Sequence, residues 1–221
     1  LFGQQTRHIL SREHILYEKT ASQLFVQKGY EKTSMQDIVD ALGMSKGAIF
    51  HHFKSKEEIF RAVIDKQSEY IKRQLQIWIE EMEGFTAREK LIGILNRNLH
   101  DFQAHALDSV LTAQAQSSQF VLSSIQESMN KAAPVIADIM REGQADGTIT
   151  TDFPDECAEL LLLLINMWCD PAVFTCDISR LTMRFRCLQR LMANMGVDVI
   201  SDELLSECIE LVHKLYNKGG E

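Results

Sequence analysis

The stretch that decides the fold runs from Thr33 to Lys56 and has the sequence TSMQDIVDALGMSKGAIFHHFKSK. Thr33 and Ser34 are both candidate N-caps for a first short helix, whose apolar residues recur at helical spacing. Gly43 follows as a residue whose backbone readily takes the left-handed conformation that ends helices. Ser45 is then the expected N-cap of a second helix. We predict two short helices joined by a tight turn.

Two short helices joined by such a turn form a helix-turn-helix, in which the second helix enters the major groove of DNA. Ile49 and Phe53 are four residues apart and are expected to face inward. On the outer face, Lys46 can reach a guanine edge or a phosphate, and the small Gly47 and Ala48 let the backbone approach the bases. The alternative is a structural three-helix unit that carries a glycine turn without binding DNA. The predicted DNA-binding residues are Thr33, Ser34, Ser45, Lys46, Gly47, Ala48, Phe50, His51, His52 and Lys56.

The motif lies within a longer ordered string of residues. The string comprises Gly29-Tyr30, Thr33-Ser34-Met35, Asp37-Ile38-Val39, Gly43-Met44-Ser45-Lys46-Gly47 and Phe50-His51-His52-Phe53-x-Ser55-Lys56-Glu57-Glu58. In order and spacing it resembles the N-terminal domain of tetracycline-repressor (TetR/AcrR) family regulators, over about residues 17–60. The resemblance implies an all-α homodimer whose C-terminal domain binds a small molecule that releases the DNA. Two residues depart from the family pattern: Phe50 replaces a phosphate-binding tyrosine, and Tyr17 replaces Ile or Leu.

Charge is distributed unevenly along the 221 residues. The formal net charge of −8 argues, taken alone, against a nucleic-acid partner. Residues 1–56, however, hold eight Lys/Arg and five Asp/Glu, a net charge of +3, so the remainder carries −11. A modestly basic end suits a protein that contacts DNA there, because phosphate contacts dominate affinity. We predict a DNA-binding domain over 1–56 and an effector-binding and dimerisation domain over 57–221.

The C-terminal domain is predicted to be helical throughout, since no strand-like alternation occurs. A helix from Lys56 to about Met82 connects the domains and would transmit a shift between them. Pro134 lacks a backbone N–H, so we expect a kink or break near Ala133. Further helices are expected at about 87–102, 105–116, 117–142, 154–167, 179–195 and 201–217, with a turn over 143–151. The predicted fold class is all-α, with an N-terminal three-helix helix-turn-helix domain and a C-terminal helical bundle for ligand binding and dimerisation.

The helix beginning at Pro154 is apolar on all sides over residues 160–165, which is typical of a helix buried all round. We predict that it and the following helix pair with their copies in a second chain, as a four-helix bundle about a two-fold axis. The alternative is a core helix within one chain. The predicted interface residues are Leu160, Leu161, Leu164, Leu181, Phe185, Leu188 and Met192.

Ligand pockets favour aromatic and soft apolar walls, so we predict Phe102, Phe120 and Trp168 as ligand-binding residues. Four polar residues lie close together in the sequence: His100, Asp101, His105 and Asp108. They lack the ligand spacing of a metal site, and we favour a solvated face or a polar pocket wall. We predict neither a metal nor a cofactor. No phosphate-binding loop, nucleophile elbow or zinc-protease motif occurs in the sequence, so no catalytic residue is assigned and an enzyme is not expected.

Five cysteines without a CxxC pair favour reduced thiols and a cytoplasmic protein. For Cys169 and Cys176, packing as small apolar residues is favoured over a redox switch. No apolar run approaches the ~20 residues that span a membrane. The sequence, which begins at Leu1, shows no secretory signal pattern.

Together these features predict a homodimeric regulator that represses transcription from a roughly palindromic double-stranded DNA operator until a small-molecule effector binds. One alternative is an activator, or a ligand-independent regulator, with the same helix-turn-helix. Another is a helical small-molecule-binding or catalytic protein whose helix-turn-helix is structural. That protein would show no salt-dependent binding to DNA.

Overall fold

The computed structural model describes residues 12–114, 118–171 and 173–217. These residues are helical and contain no strand, so the predicted all-α class is confirmed. Two segments, Ser128–Ala132 and Leu164–Trp168, are π-helical. The α-helices of the described residues are α1 Arg12–Lys28, α2 Met35–Leu42, α3 Lys46–His52, α4 Lys56–Glu81, α5 Ala87–His100, α6 Asp108–Gln114, α7 Ser118–Glu127, α8 Ala133–Asp146, α9 Pro154–Leu163, α10 Ile178–Asn194 and α11 Asp202–Asn217.

The chain divides into two compact units, Leu1–Tyr70 and Ile71–Glu221, which we call the head and the body. The division falls within α4, so this helix contributes to both units. The domain boundary expected between residues 56 and 57, at the start of α4, stays a prediction. No helix of the described residues is long and apolar enough to cross a membrane.

The head is built around a small core of aromatic and branched side chains. The rings of Phe25, Tyr30 and Phe60 lie with their centroids 4.7–5.8 Å apart, which joins α1, the turn after it and α4. Ile38 of α2 and Ile49 of α3 are fully buried in the same unit. Burial of these apolar groups fixes α2 and α3 against the other two helices.

The body has a hydrophobic core formed mainly by α5, α8, α9 and α10. Leu91, Met140, Leu188 and Met192 are among its fully buried members. The buried residues of α5 and of α10 recur at helical spacing, so each of these helices turns one stripe toward the core, and this explains the periodicity in the sequence.

Two boundaries in the body differ from expectation. Helix α8 continues to Asp146, although a turn was predicted from Gly143. A Cβ at Gly143 would lie 2.3 Å from the Ile149 side chain, so this glycine serves close packing inside the helix. The helix ends instead at Gly147, which adopts φ +80°.

In the described part of the stretch predicted as one helix over 105–116, α6 is helical and residues 102–107 form turns. At the position near Ala133 where a kink or break was expected, the π-helical segment Ser128–Ala132 ends and α8 begins at the next residue. Pro134 occupies the first turn of α8, where a backbone N–H is not needed for helix hydrogen bonding.

Candidate functional site

The turn between α2 and α3 is fixed by caps on both helices. Ser34 accepts a hydrogen bond from the Asp37 N–H at 3.1 Å, and the Asp37 carboxylate accepts one from the Ser34 N–H at 2.8 Å. Gly43 then adopts φ +62°, the left-handed conformation that ends α2. The Ser45 hydroxyl accepts from the Ala48 N–H at 3.3 Å and begins α3. These contacts define the angle between the two helices.

An ion pair joins this motif to α1. The Lys28 ammonium lies 2.7 Å from the Asp37 carboxylate. Lys28, together with hydrogen bonds from Ser34, holds the pKa of Asp37 well below its usual range. The capping carboxylate is therefore charged at neutral pH and remains a good acceptor.

Helix α3 presents small and basic residues on its outer face. Lys46, Gly47 and His51 are exposed, whereas Ile49 and Phe53 are buried, as predicted. The opening turn of α3 therefore leaves space for another molecule to approach the backbone. A Cβ built on Gly47 meets no atom within 4 Å, so the fold itself does not require glycine there.

The half-buried Phe50 supports the start of α3. The Lys46 ammonium lies 5.6 Å from the centroid of the Phe50 ring, within reach of a cation–π interaction. This contact orients the Lys46 side chain along the outer face. Ala48 is also half-buried, and Ser45 is exposed beside it.

Thr33 and Ser34, both predicted to contact DNA, occupy different environments. Thr33 is 1% exposed, and its hydroxyl donates to the Gly29 carbonyl at 2.8 Å. Its side chain closes the turn after α1 and is not available to a partner, which corrects the prediction. Ser34 is exposed, although its hydroxyl is engaged as the α2 cap.

Lys56 has an anchoring role that the sequence did not indicate. Its ammonium donates to the Tyr30 carbonyl at 2.9 Å and lies 4.2 Å from the centroid of the Tyr30 ring. The start of α4 is thereby attached to the turn after α1. Because the partners are 26 residues apart, local spacing could not have shown this contact.

His52 packs against α1. A ring nitrogen of His52 lies 2.9 Å from one of His14, and the two rings are edge to face with centroids 4.8 Å apart. The buried Tyr17 ring lies 5.2 Å from the His52 ring. His52 therefore fastens the end of α3 to α1, whereas His51 beside it is exposed.

The body contains a partly enclosed, mostly apolar cavity of about 400 Å³. Phe120, one of the predicted ligand-binding residues, lies on its wall. Phe102 is 93% exposed and is not part of the wall. Trp168 packs against the core, with the Arg184 guanidinium 5.9 Å from its ring, while its neighbours Met167 and Cys169 line the cavity. The placements of Phe102 and Trp168 therefore correct the prediction.

The predicted polar cluster is divided in the structure. His105 Nδ1 lies 2.8 Å from the Asp108 carboxylate and its Nε2 lies 3.0 Å from the Asn98 carbonyl, and all three residues line the cavity. The bond to Asp108 is the main cause that raises the pKa of His105. Asp101 instead accepts from backbone N–H groups of the following turn, and His100 lies 3.6 Å from Glu207. Among the described residues, no three His, Cys, Asp or Glu side chains are grouped to hold a metal ion.

Most of the predicted dimer residues lie in the core of their own chain. Leu161, Leu181, Phe185, Leu188 and Met192 are all buried within one copy, and only Leu160 and Leu164 are half-buried. The stripe that periodicity identified is the face that α9 and α10 turn toward the core. The alternative of an intrachain core therefore accounts for these five residues.

All five cysteines are free thiols. Burial raises the pKa of Cys169 to about 12 and that of Cys208 to about 11. Thiols of such high pKa are poor nucleophiles at neutral pH, which favours the packing interpretation for Cys169.

The helix-turn-helix region matches the family model described as bacterial regulatory proteins, tetR family, over residues 19–63. This match covers α2, the turn, α3 and the parts of α1 and α4 that hold them. Residues 19–63 therefore form a helix-turn-helix domain of the tetR family of bacterial regulatory proteins. The family predicted from residues 17–60 is thus confirmed.

The chain is also similar to individual transcriptional regulators. The chain is 32% identical over 88 residues to the HTH-type transcriptional repressor Rv1474c of Mycobacterium tuberculosis, covering 40% of this chain and 41% of that protein. It is 27% identical over 162 residues to the transcriptional regulator UidR of Escherichia coli, covering 73% and 80%. A transcriptional regulator from Cytophaga hutchinsonii has a similar fold, with TM-score 0.60 at 18% identity, covering 94% of this chain and 96% of that one.

Proposed function

We propose that this TetR/AcrR-family regulator is a repressor that binds a roughly palindromic DNA operator as a homodimer. A small molecule in the cavity of the body then releases it from DNA. The observation that carries the proposal is the outer face of α3, where an exposed lysine and an unobstructed glycine begin a helix held rigidly by caps and core. The names of its relatives as regulators and as a repressor support this role over an enzymatic one. We place the protein in the cytoplasm, where an operator is found.

The proposed DNA surface is formed by the exposed and half-buried residues of α3 and its cap. Lys46 would contact a guanine edge or phosphate, and Gly47 and Ala48 would allow close approach to the bases. Two such helices in a dimer would lie about 34–36 Å apart, one turn of DNA, or somewhat farther. Thr33, His52 and Lys56 support this surface from within the head. The proposed contact residues are Ser45, Lys46, Gly47, Ala48, Phe50 and His51, with Ser34 at the edge.

The homodimer is proposed to form through the outer face of α10. Met183 is 62% exposed and Leu191 is 38% exposed, and the exposed Cys187 lies midway between them. Residues four apart share one side of a helix, so these three form an apolar stripe opposite the buried one. Association with a second copy would remove this stripe from water.

Release by a ligand is proposed to be a population shift. A small molecule that binds some conformations of the body better than others shifts the protein toward them, to the extent of its differential affinity. Helix α4 includes the last residues of the head and the first of the body, so it can carry such a change between the units. The DNA-binding form would be the one with the empty cavity.

The test is a selection of random duplex DNA by the purified protein, followed by anisotropy titrations at two salt concentrations. We expect a two-fold symmetric consensus bound by a dimer, with affinity that falls as salt rises because phosphate-bound counterions are released. Weak binding without sequence preference, in the presence and absence of candidate ligands, would contradict the proposal. It would favour a structural role for the helix-turn-helix.

A further inference from the structure

We propose that the cavity of the body takes a lipophilic cation, that is, an apolar compound carrying one protonated amine or an equivalent positive group. This inference rests on the proposed function in that the cavity is the effector site. It goes beyond that function by naming the chemical class of ligand. Three properties of the described part of the wall support it: its apolar surface, its acidic groups and the lack of a lysine or arginine among its residues.

The wall is mostly apolar and the space is of ligand size. Leucines 95, 99, 111, 188, 204 and 205 contribute to it together with Phe120 and Phe185. At about 400 Å³, the cavity lies within the range of roughly 300–1,000 Å³ that is usual for small-molecule sites. It has room for roughly a dozen atoms at the ~30 Å³ that each water molecule occupies in the liquid. An apolar body of this size would be removed from water on binding.

Among the described residues, the charged groups of the wall are His105, Asp108 and Asp170, and the charges that follow count these three alone. With His105 protonated the wall carries a net charge of −1, and with His105 neutral it carries −2. Opposite charges within a few ångströms favour each other strongly where water is partly excluded. A positive ligand group therefore gains from Asp108 and Asp170, whereas a negative one is repelled.

His105 does not compensate for this imbalance. Its ring nitrogens lie 2.8 Å from the Asp108 carboxylate and 3.0 Å from the Asn98 carbonyl, so both are engaged with acceptors. An incoming carboxylate or phosphate would have to displace one of them to obtain a hydrogen bond. Asp108 has a second oxygen in addition to the one that His105 binds.

No lysine or arginine lines the cavity within the described part of the chain. Arg184 of α10 lies outside this wall, where its Nη1 donates to the carbonyls of Trp168 and Phe174 at 2.9 Å. Desolvating an anion without a charged donor is costly, because the lost hydration is not replaced. The chemistry of the wall therefore selects against acidic ligands and for basic ones.

The test uses three probes that share a ten-carbon chain: decylamine, decan-1-ol and decanoate, titrated calorimetrically into the full-length protein at neutral pH. We expect decylamine to bind on the order of tenfold more tightly than decanoate, with decanol between them, because a charge-assisted hydrogen bond is worth about that factor. Asp108→Asn and Asp170→Asn should each reduce the preference several-fold. Asp152→Asn, which removes an exposed carboxylate outside the wall, should leave it unchanged.

The two acidic variants test the same claim independently, so a folding defect in Asp108→Asn, which loses its partner His105, still leaves Asp170→Asn to decide it. Equal binding of the three probes, tighter binding of decanoate, or no binding of decylamine would each overturn the inference. Addition of each probe to the protein–operator complex separates it from the proposed function. If decanoate alone releases the DNA, the cavity remains the effector site but the proposed preference for a cation is wrong. If decylamine binds preferentially without releasing the DNA, the preference for a cation stands but the cavity is not the effector site.

Discussion

The head and the body place their distinctive side chains in opposite settings. In the head, the basic and small residues of α3 lie on the outside of a short, capped helix, and residues 1–56 carry +3. In the body, the acidic groups of Asp108 and Asp170 face an apolar cavity. The head suits a large, negatively charged partner that approaches from outside. The body suits a small partner that enters it.

The two units also differ in how far apart in sequence the residues of their binding surfaces lie. The surface of α3 is set by residues within about two turns of one another, whose geometry the caps at Ser34 and Ser45 define. The cavity is set by side chains from residue 95 to residue 211, brought together by packing of the body. A change in the head should therefore alter DNA binding and leave ligand binding intact, and the converse should hold for the cavity.

The largest loss of operator binding is expected from a change in the body that prevents dimerisation. Met183→Asp places a charge on the apolar stripe of α10 and should convert the dimer to a monomer, as measured by sedimentation. Loss of the second head removes the avidity of the pair and should weaken operator binding by about 10²–10⁴-fold. Leu122→Asp is the matched control, since Leu122 is 55% exposed on α7. A dimeric Met183→Asp protein with full operator affinity would show that the stripe is not the interface.

Lys46→Ala should change DNA binding by the head without changing ligand binding by the body. Loss of a base-edge contact should cost about 1–3 kcal/mol in operator binding and relax preference at one position of each half-site. Decylamine binding should not change. Lys72→Ala, an equivalent charge change on the exposed part of α4 in the body, should retain sequence preference. Uniform weakening on every DNA sequence would instead place Lys46 at a phosphate.

Lys56→Ala should act on the stability of the head. Removing the ammonium loses its bond to the Tyr30 carbonyl and its contact with the Tyr30 ring, a cost of about 1–2 kcal/mol in the free energy of unfolding. Urea denaturation measures this loss. The nearby Lys54→Ala removes an exposed lysine and should have a smaller effect. Unchanged stability with a salt slope reduced by about one would instead support the DNA contact predicted for Lys56, made to a phosphate.

The smallest expected effect is an increase in operator affinity. Phe50 stands where TetR/AcrR-family regulators usually have a phosphate-binding tyrosine, and it is half-buried beside Lys46. Phe50→Tyr should strengthen operator binding by about 0.5–1.5 kcal/mol, which anisotropy can resolve. Phe50→Leu, which lacks the hydroxyl, should give no gain. Equal affinities for Phe50→Tyr and the unchanged protein would show that the ring does not reach the phosphates.

The head was predictable because its signals are local. Caps, the turn at Gly43 and the inward pair Ile49 and Phe53 all follow from spacings of a few residues, and the structure has them as expected. What the local signals did not show depends on packing and on distant partners. Thr33 is buried in the turn after α1, where its hydroxyl donates to the Gly29 carbonyl, and Lys56 donates to a carbonyl 26 residues away.

In the body, periodicity located the buried stripes but not what covers them. Leu181, Leu188 and Met192 were assigned to a second copy, yet α9 and α10 pack them within the chain. Composition placed Phe120 correctly on the cavity wall and misplaced the exposed Phe102. An apolar residue contributes the same to a helical pattern whether its neighbour is the core, a ligand or a partner, so sequence alone cannot separate these cases.

Gly47→Ala shows whether the opening turn of α3 approaches the bases of DNA closely. Glycine inside a helix is less stable than alanine by about 0.5–1 kcal/mol, and the structure has open space for the added methyl group. We therefore predict that Gly47→Ala raises the urea midpoint of the head while weakening binding to the selected operator at least roughly tenfold, since the methyl group occupies the space reserved for a base.

Gly43→Ala is the contrasting control, because its φ of +62° penalises any Cβ and should lower stability. The urea midpoint and the operator affinity of Gly47→Ala are measured on one preparation. Opposite changes in stability and affinity are the predicted result. A more stable Gly47→Ala protein that binds the operator as tightly as before would contradict the claim, because α3 would then lie away from the bases.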